Sequence, residues 1–410
     1  MTAITLFYII ISIIIISFII DKIIDDLNAK HFDDTLPSEV ADVYENDEYL
    51  KSQKYKKVNF KFSSITSLFS ITLTLLFFFL DGFRYVDDIA RDISDNTLVI
   101  SLLFFGIIML ASDILTTPFG YYRTFVIEEE FGFNKTTKKL FWLDKLKGLL
   151  MSVVIGGLIL SLIIWFYEQT GKNFWLYAWA LVAVFSVCMN MFYSTLIVPL
   201  FNKQTPLEDG ELKTEIEKFA QKVNFKLDKI FVIDGSKRST KANAYFAGFG
   251  KTKRIVLYDT LINELTTNEI VAVLAHEVGH YKRKHIIFNL FSSVLLTGLT
   301  LYILSLFIDS QLLSNALGVD IPSFHVGLVA FGVLYSPISE LTGLFMNYMS
   351  RKFEYQADDY AKEYFDAEPL ISSLKKLSKN SLSNLTPHKT YVFKHYSHPT
   401  LRERIANLRK

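Results

Sequence analysis

Seven apolar runs limit how this chain can fold more than any other feature; they lie at residues 4–20, 63–80, 97–117, 149–167, 174–198, 286–308 and 324–346. A helix rises about 1.5 Å per residue, so about 20 apolar residues cross the hydrocarbon of a bilayer. In lipid every backbone N–H and C=O must find its partner within the segment, which leaves the helix as the form for isolated runs of this length. The first run has the look of a cleavable leader. However, no basic residue precedes it, and Asp21-Lys22 follows it where small residues would mark a cleavage site. It is expected to stay as an anchor. Half of the 410 residues are hydrophobic and 36 are Phe, more than a water-soluble domain spends. The expected fold class is mainly α, a polytopic membrane protein with about seven transmembrane helices.

Lys and Arg alternate between the connecting loops. Loop 21–62 carries seven, loop 81–96 two, loop 118–148 six, loop 168–173 one, loop 199–285 fifteen and loop 309–323 none. Cytoplasmic loops hold the basic excess, so the N-terminus is expected outside, with loop 199–285 and the C-terminal tail inside. Two spans contain acids, Asp113 in the third and Glu340 in the seventh, which also carries Pro337. A charge facing lipid is expensive, so each acid makes either an interhelical bond or part of a hydrated wall. The net charge of +1 offers no basic face for a nucleic acid. Cys188, the single cysteine, cannot form an intrachain disulfide.

Outside the spans, Leu212, Ile216, Phe219, Ala220 and Val223 share one face of a helix expected over 207–224. Lys229 to Asp234 has a strand pattern. Asn243 to Phe249 and Arg254 to Tyr258, with Gly248, Gly250 and Lys251 between them, suggest a β-hairpin. Thr266 and Glu269 have capping-box spacing ahead of apolar Ile270, Val273 and Leu274. Residues 25–62 are the most polar stretch and are expected to form a mobile loop.

That capped helix carries His276-Glu277-Val278-Gly279-His280. Positions i and i+4 face the same way, so both imidazoles can reach one ion, with Glu277 beside them to take a proton from water. Zinc suits imidazole and carboxylate ligands. Gly279 either is indifferent or admits close approach by another segment. Glu354 and Asp358 lie one turn apart just after the seventh span. Two acids at that spacing are common on solvated helices. Next to an HExxH, the first can complete the ligand set and the second can accept the far N–H of a ligating His.

With these residues in view, the chain resembles the membrane-bound CAAX prenyl proteases, seven-span gluzincins of the endoplasmic reticulum with bacterial relatives. The resemblance rests on Pro118 to Thr137, Phe201 to Glu217, Asn243 to Leu261, HEVGHYKRKH at 276–285, Asn347 to Tyr360 and SHPTLRERI at 397–405. It implies one Zn²⁺ per chain held by His276, His280 and Glu354, with Glu277 as general base and Asp358 behind a ligand. It implies that Asn243 lies where an edge strand pairs with substrate backbone. His398 and Arg404 are expected to steady the developing oxyanion or the substrate carbonyl, and His285 to support the helix end. It further implies a small α+β zincin-like region and a water-filled chamber whose wall Asp113 and Glu340 would fit.

The expected organisation is transmembrane helices one to five in 1–198, a catalytic region in 199–285, helices six and seven in 286–346, and C-terminal catalytic helices in 347–410. The implied partners are membrane lipid and a peptide or protein substrate prenylated at a C-terminal Cys, with no nucleic acid. Two rivals stand beside this: a membrane-protein quality-control protease without lipid preference, and a catalytically silent receptor or carrier. The short stretch between Asn243 and His276, the lack of a retrieval signal near Lys410 and the Ile, Lys, Phe and Asn bias point to a bacterial cytoplasmic membrane. A eukaryotic member would sit in the endoplasmic reticulum.

Overall fold

The computed structural model describes residues 1–227, 229–248 and 253–410. The chain begins with α1 (Ala3–Ala29), α2 (Asn46–Phe79), α3 (Gly82–Ile93), α4 (Thr97–Tyr122), α5 (Lys138–Met151), α6 (Gly157–Thr170), α7 (Phe174–Phe192) and α8 (Val198–Phe201). A mixed unit follows, with β1 (Gln204–Pro206), α9 (Glu211–Lys222), β2 (Ile230–Ile233), β3 (Ala244–Ala247), β4 (Arg254–Tyr258), α10 (Asp259–Glu264) and α11 (Thr267–Lys282). Then come α12 (His285–Phe307), α13 (Gln311–Ala316) and α14 (Phe324–Tyr364), and the chain closes with α15 (Ala367–Asn380), α16 (Lys389–His395) and α17 (Leu401–Leu408).

Among the described residues, six continuous helical runs are long and apolar enough to cross a membrane. One of them, Lys138–Phe201, folds back on itself. Gly171 takes φ 53° at the turn after α6, and Phe166 and Tyr177 pack across it with ring centroids 5.5 Å apart. That positive φ suits glycine, which has no Cβ to clash. The run therefore contains two crossings, which gives the seven expected.

The loops sort onto two faces. Val40, Ile127, Leu257, Leu274 and Leu408 share one core, so all three basic loops and the C-terminal tail meet on the same side. Leu6, Phe83 and Leu313 pack together on the other, as do Phe174 and Phe324. The two chain ends thus lie on opposite faces, as an odd number of crossings requires.

Helix α2 has two unlike sides. Its exposed residues fall on two opposite sides at about 100° per residue. Ile65, Leu68, Thr72, Leu76 and Phe79 form one side, and Ser63, Ser67, Ser70 and Thr74 the other. The first suits lipid. A stripe of hydroxyls suits a polar surround, so the two sides of this helix differ in the environment they fit. Both intramembrane acids make interhelical ion pairs. Asp113 accepts from Lys145 at 2.7 Å, and Glu340 from Lys394 at 2.5 Å, whose ammonium also meets Asp21.

The small sheet has the order β1-β2-β4-β3. β2 runs parallel to β4, while β3 lies antiparallel to it with Ala244 opposite Leu257 and Ala247 opposite Arg254. The expected hairpin and strand are present; Gly250 and Lys251 of its turn lie outside the described residues. The short edge strand β1 was not anticipated. Two further differences concern helices. The stretch expected as a mobile loop instead carries the end of α1 and a capping box, Glu45 with Glu48, that starts α2. Few of its residues are apolar, but Val40, Val43 and Tyr44 are buried, and the Tyr44 hydroxyl donates to the Ser378 and Ser383 carbonyls at 3.0 and 3.1 Å. Helix α14 runs unbroken through the boundary expected at 346/347, so one helix carries both the seventh span and the Glu354 turn.

Candidate metal centre

The site is built where α11 crosses α14. The capping box begins α11 as its spacing predicts: the Thr266 N–H donates to Glu269 Oε2 at 2.8 Å, and the Glu269 N–H donates to Thr266 Oγ1 at 3.4 Å. Ser372 at 2.6 Å and Lys376 at 2.7 Å brace the same carboxylate from α15. Ile270, Leu274 and Val278 are buried and fix the rotation of the helix. Gly279 then lets α14 come close. A Cβ there would stand 3.0 Å from Tyr360 Cβ and 3.1 Å from the Ala357 backbone. Lys284, at φ 62°, breaks the chain before His285 opens α12.

This crossing brings His276, His280 and Glu354 together. The two Nε2 atoms are 3.1 Å apart; Glu354 Oε1 is 3.1 Å from His280 Nε2, and Oε2 is 3.4 Å from His276 Nε2. Ligands bonded at about 2.0–2.1 Å to a tetrahedral ion are separated by about 3.3 Å, and one ligand atom from each of the three residues can be chosen with all three within 4.8 Å of one another, close enough to share an ion. Two further features fit a cation. Among the described residues Glu354 Oε2 is buried without a hydrogen-bond partner, its nearest permanent cation being Arg404 Nη1 at 3.4 Å, so the oxygen keeps a lone pair for a bound cation. The tautomers also agree. His276 Nδ1 lies 2.8 Å from Asp358 Oδ1, which can only accept, so Nδ1 carries the proton and Nε2 keeps its lone pair. His280 Nδ1 lies 3.0 Å from His285 Nδ1, and His285 Nε2 lies 2.8 Å from Gln356 Oε1. With Gln356 accepting, His285 Nδ1 accepts in turn, and His280 Nε2 is free to ligate.

Burial pushes the Glu354 carboxyl up, but hydrogen bonds from His276 and His280 outweigh it and hold the group below the usual carboxylate range. Asp358 is held down likewise against burial, by His276 and Arg404. In the absence of a metal charge, burial and then Arg404 lower His276, while Asp358 and Glu354 more than reverse this and bring it to about 9. A bound cation would hold the imidazole neutral instead.

The remaining predicted residues fall in distinct places. Glu277 is half-buried on α11 and makes no hydrogen bond among the described residues. His398 is largely exposed, with Nε2 3.4 Å from Glu354 Oε1, so it overhangs the open side of the site. Arg404 differs from expectation. It is 9% exposed, and its Nε and Nη2 clamp Asp358 at 2.9 and 2.5 Å, leaving Nη1 3.4 Å from Glu354 Oε2. A guanidinium committed on two sides in this way braces carboxylates. Asn243 is exposed just before β3, and beside Tyr245 and Tyr193 it lines a cavity of about 640 Å³. Gln356 was missed by sequence reasoning. The signal was an amide between Glu354 and Asp358, on a turn already assigned to the metal.

Residues 27–203 match the family described as CAAX prenyl protease N-terminal, five membrane helices, and residues 206–410 match peptidase family M48. The CAAX prenyl protease 1 homolog of Dictyostelium discoideum is 38% identical, with 92% of this chain and 89% of that one covered. CAAX prenyl protease 1 of Saccharomyces cerevisiae is 37% identical, with 91% and 88% covered. The Homo sapiens homolog is 32% identical over the same shares of the two chains, 91% and 88%. The crystal structure of S. mikatae Ste24p superposes with a TM-score of 0.94 at 35% identity, over 99% of both chains.

Proposed function

This chain belongs to the M48 peptidases of the CAAX prenyl protease 1 type, multi-pass membrane metalloendopeptidases, and from that premise we propose that His276, His280 and Glu354 hold one zinc ion and that Glu277 is the general base. The observation that carries this reading is the convergence of two imidazole Nε2 atoms 3.1 Å apart on the Glu354 carboxylate, whose two oxygens lie 3.1 and 3.4 Å from them.

When bound, zinc supplies Lewis acidity and brings the pKa of water to about 7. Glu277, whose side chain makes no hydrogen bond among the described residues, takes the water proton and later passes it to the leaving amine. Asp358 fixes the Nδ1–H tautomer of His276, and Arg404 holds Asp358. His398 is the exposed donor on the open side, positioned for the substrate carbonyl. Asn243 opens the edge strand β3, whose outer side can pair with an extended peptide. The substrate is a protein C-terminus bearing a prenylated Cys, the class for which the relatives are named. The lipid would occupy apolar space within the helices. The face bearing the three basic loops is the cytoplasmic one, which puts the cut at the cytoplasmic membrane surface. The relatives compared above are eukaryotic, so the bacterial setting expected from residue bias gains no support from them.

Glu277→Gln tests the reading: it should retain one zinc per chain and lose turnover of a prenylated peptide. Full proteolysis by that variant would refute the assignment of the base.

A further inference from the structure

A polar cavity of about 700 Å³ opens beside His398, where the cytoplasmic ends of α1 and α2 meet the C-terminal segment. Pockets that bury small ligands span roughly 300–1,000 Å³. Lys56, on its wall, needs an explanation. It is only 8% exposed, yet among the described residues no carboxylate is ion-paired with it, Asp33 nearby being paired with Lys57 instead. Among the described residues its ammonium donates only to the Phe32 carbonyl at 3.5 Å and to Asn384 Oδ1 at 3.4 Å, both neutral. A cation withdrawn from water without counter-charge is costly, so such a group marks a place for an anion. The wall has two basic side chains, Lys56, whose pKa burial lowers to about 8, and Arg123, against one acid, Asp25, so an anion in the cavity would restore the charge that burial disfavours on Lys56.

The position of the cavity narrows the choice of anion. His398 lines it, and the same imidazole lies 3.4 Å from the ligand Glu354. Lys56, Asn59 and Ser63 share one face of α2 at helical spacing and continue as the hydroxyl stripe through Ser67, Ser70 and Thr74. The cavity is thus the end of a polar track along α2 and lies beside the metal centre. An extended peptide advances about 3.4 Å per residue, so a segment of a few residues leaving the site enters this space.

We propose that the cavity receives the part of the substrate downstream of the cut and that Lys56 pairs with its free C-terminal carboxylate. This rests on the peptidase reading above and names how that site would distinguish a chain end from an internal segment. Arg123 adds positive charge at the rim, and Asn384 orients the Lys56 ammonium.

The test compares two fluorescent peptides of one sequence, each ending in prenylated Cys and three further residues, one as free acid and one as C-terminal amide. Binding is read by anisotropy on the zinc-loaded, detergent-solubilised full chain carrying Glu277→Gln, so that no peptide is consumed. The acid should bind about tenfold tighter or more. Adding Lys56→Met should bring the two affinities to within about twofold of each other, and Lys56→Arg should keep the preference. Because the readout is a ratio within one preparation, a reduced folded fraction cancels. Equal binding without the Lys56 change, or a preference that survives Lys56→Met, overturns the proposal. So does a Lys56→Met variant whose altered property is binding to phosphatidylserine vesicles, since the cavity would then serve a lipid headgroup. Cleavage of the acid peptide by the chain with Glu277 intact reports separately on the peptidase reading.

Discussion

Replacing Gly279 should force apart the two helices that carry the ligands. An alanine Cβ would stand 3.0 Å from Tyr360 Cβ and 3.1 Å from Ala357 Cα and its carbonyl oxygen. Carbon atoms pack comfortably at about 3.5–4.0 Å, so α11 and α14 must separate by several tenths of an ångström. Overpacking of this kind costs about 1–3 kcal/mol. Alanine recovers about 1 kcal/mol of helix propensity relative to glycine, so Gly279→Ala should lose about 0–2 kcal/mol net. Gly279→Val adds two methyl groups against the same backbone and gains less propensity, so its loss should be larger. The metal should feel the same displacement, because ligand distances tolerate only about ±0.2 Å. Thermal unfolding in detergent, with zinc and with chelator, should rank glycine above alanine above valine. Chelator competition should show weaker zinc binding in the same order. A valine variant as stable as the parent chain, with undiminished zinc affinity, would refute the close-approach argument.

Two other substitutions probe the supports of the site. Glu269 caps α11, and its carboxyl sits below its ordinary value of 4.5: burial raises it, but Lys376, Ser372 and Thr266 more than compensate. A depressed carboxylate contributes stability above its ordinary pKa and loses it as pH falls through the folded value. Glu269→Gln should therefore melt below the parent chain at pH 7, with the gap closing under acid; a gap that is constant with pH would exclude the ionic contribution. Asp358→Asn weakens the partner of the His276 Nδ1–H and leaves Arg404 without its counter-charge. Zinc affinity should fall about 10- to 100-fold in chelator titrations, and an unchanged affinity would place Asp358 outside the metal's support.

What could be read from the sequence follows the strength of each local constraint. The seven spans were legible because lipid permits few alternatives, and even the turn at Gly171, which splits one long helical run into two crossings, lay between two apolar runs. His276 and His280 were legible because their spacing alone puts both on one helix face. Glu354 required the further step of matching a second helix, which no local pattern enforces. The pairing of Glu354 with Asp358 beside an HExxH offered it, the resemblance agreed, and the closeness at Gly279 supplies the physical means. Three things depended on tertiary packing and so were hidden. Polar residues 25–62 hold only a few buried apolar anchors, Phe32, Val40, Val43 and Tyr44, too sparse for a periodic signal. Arg404 read as a partner for substrate until the structure showed two of its nitrogens on Asp358. Lys56 is one of four lysines between Lys51 and Lys57, and nothing in that run marks it as the one withdrawn from water.

Extended X-ray absorption at the zinc edge, recorded on the purified full chain, asks most directly whether imidazoles from α11 and a carboxylate from α14 share one ion. The spectrum should require two imidazoles and oxygen, with zinc–ligand distances of about 2.0–2.1 Å, and His280→Ala should remove one imidazole. A spectrum with fewer than two imidazoles, or one that His280→Ala leaves unaltered, would contradict the account.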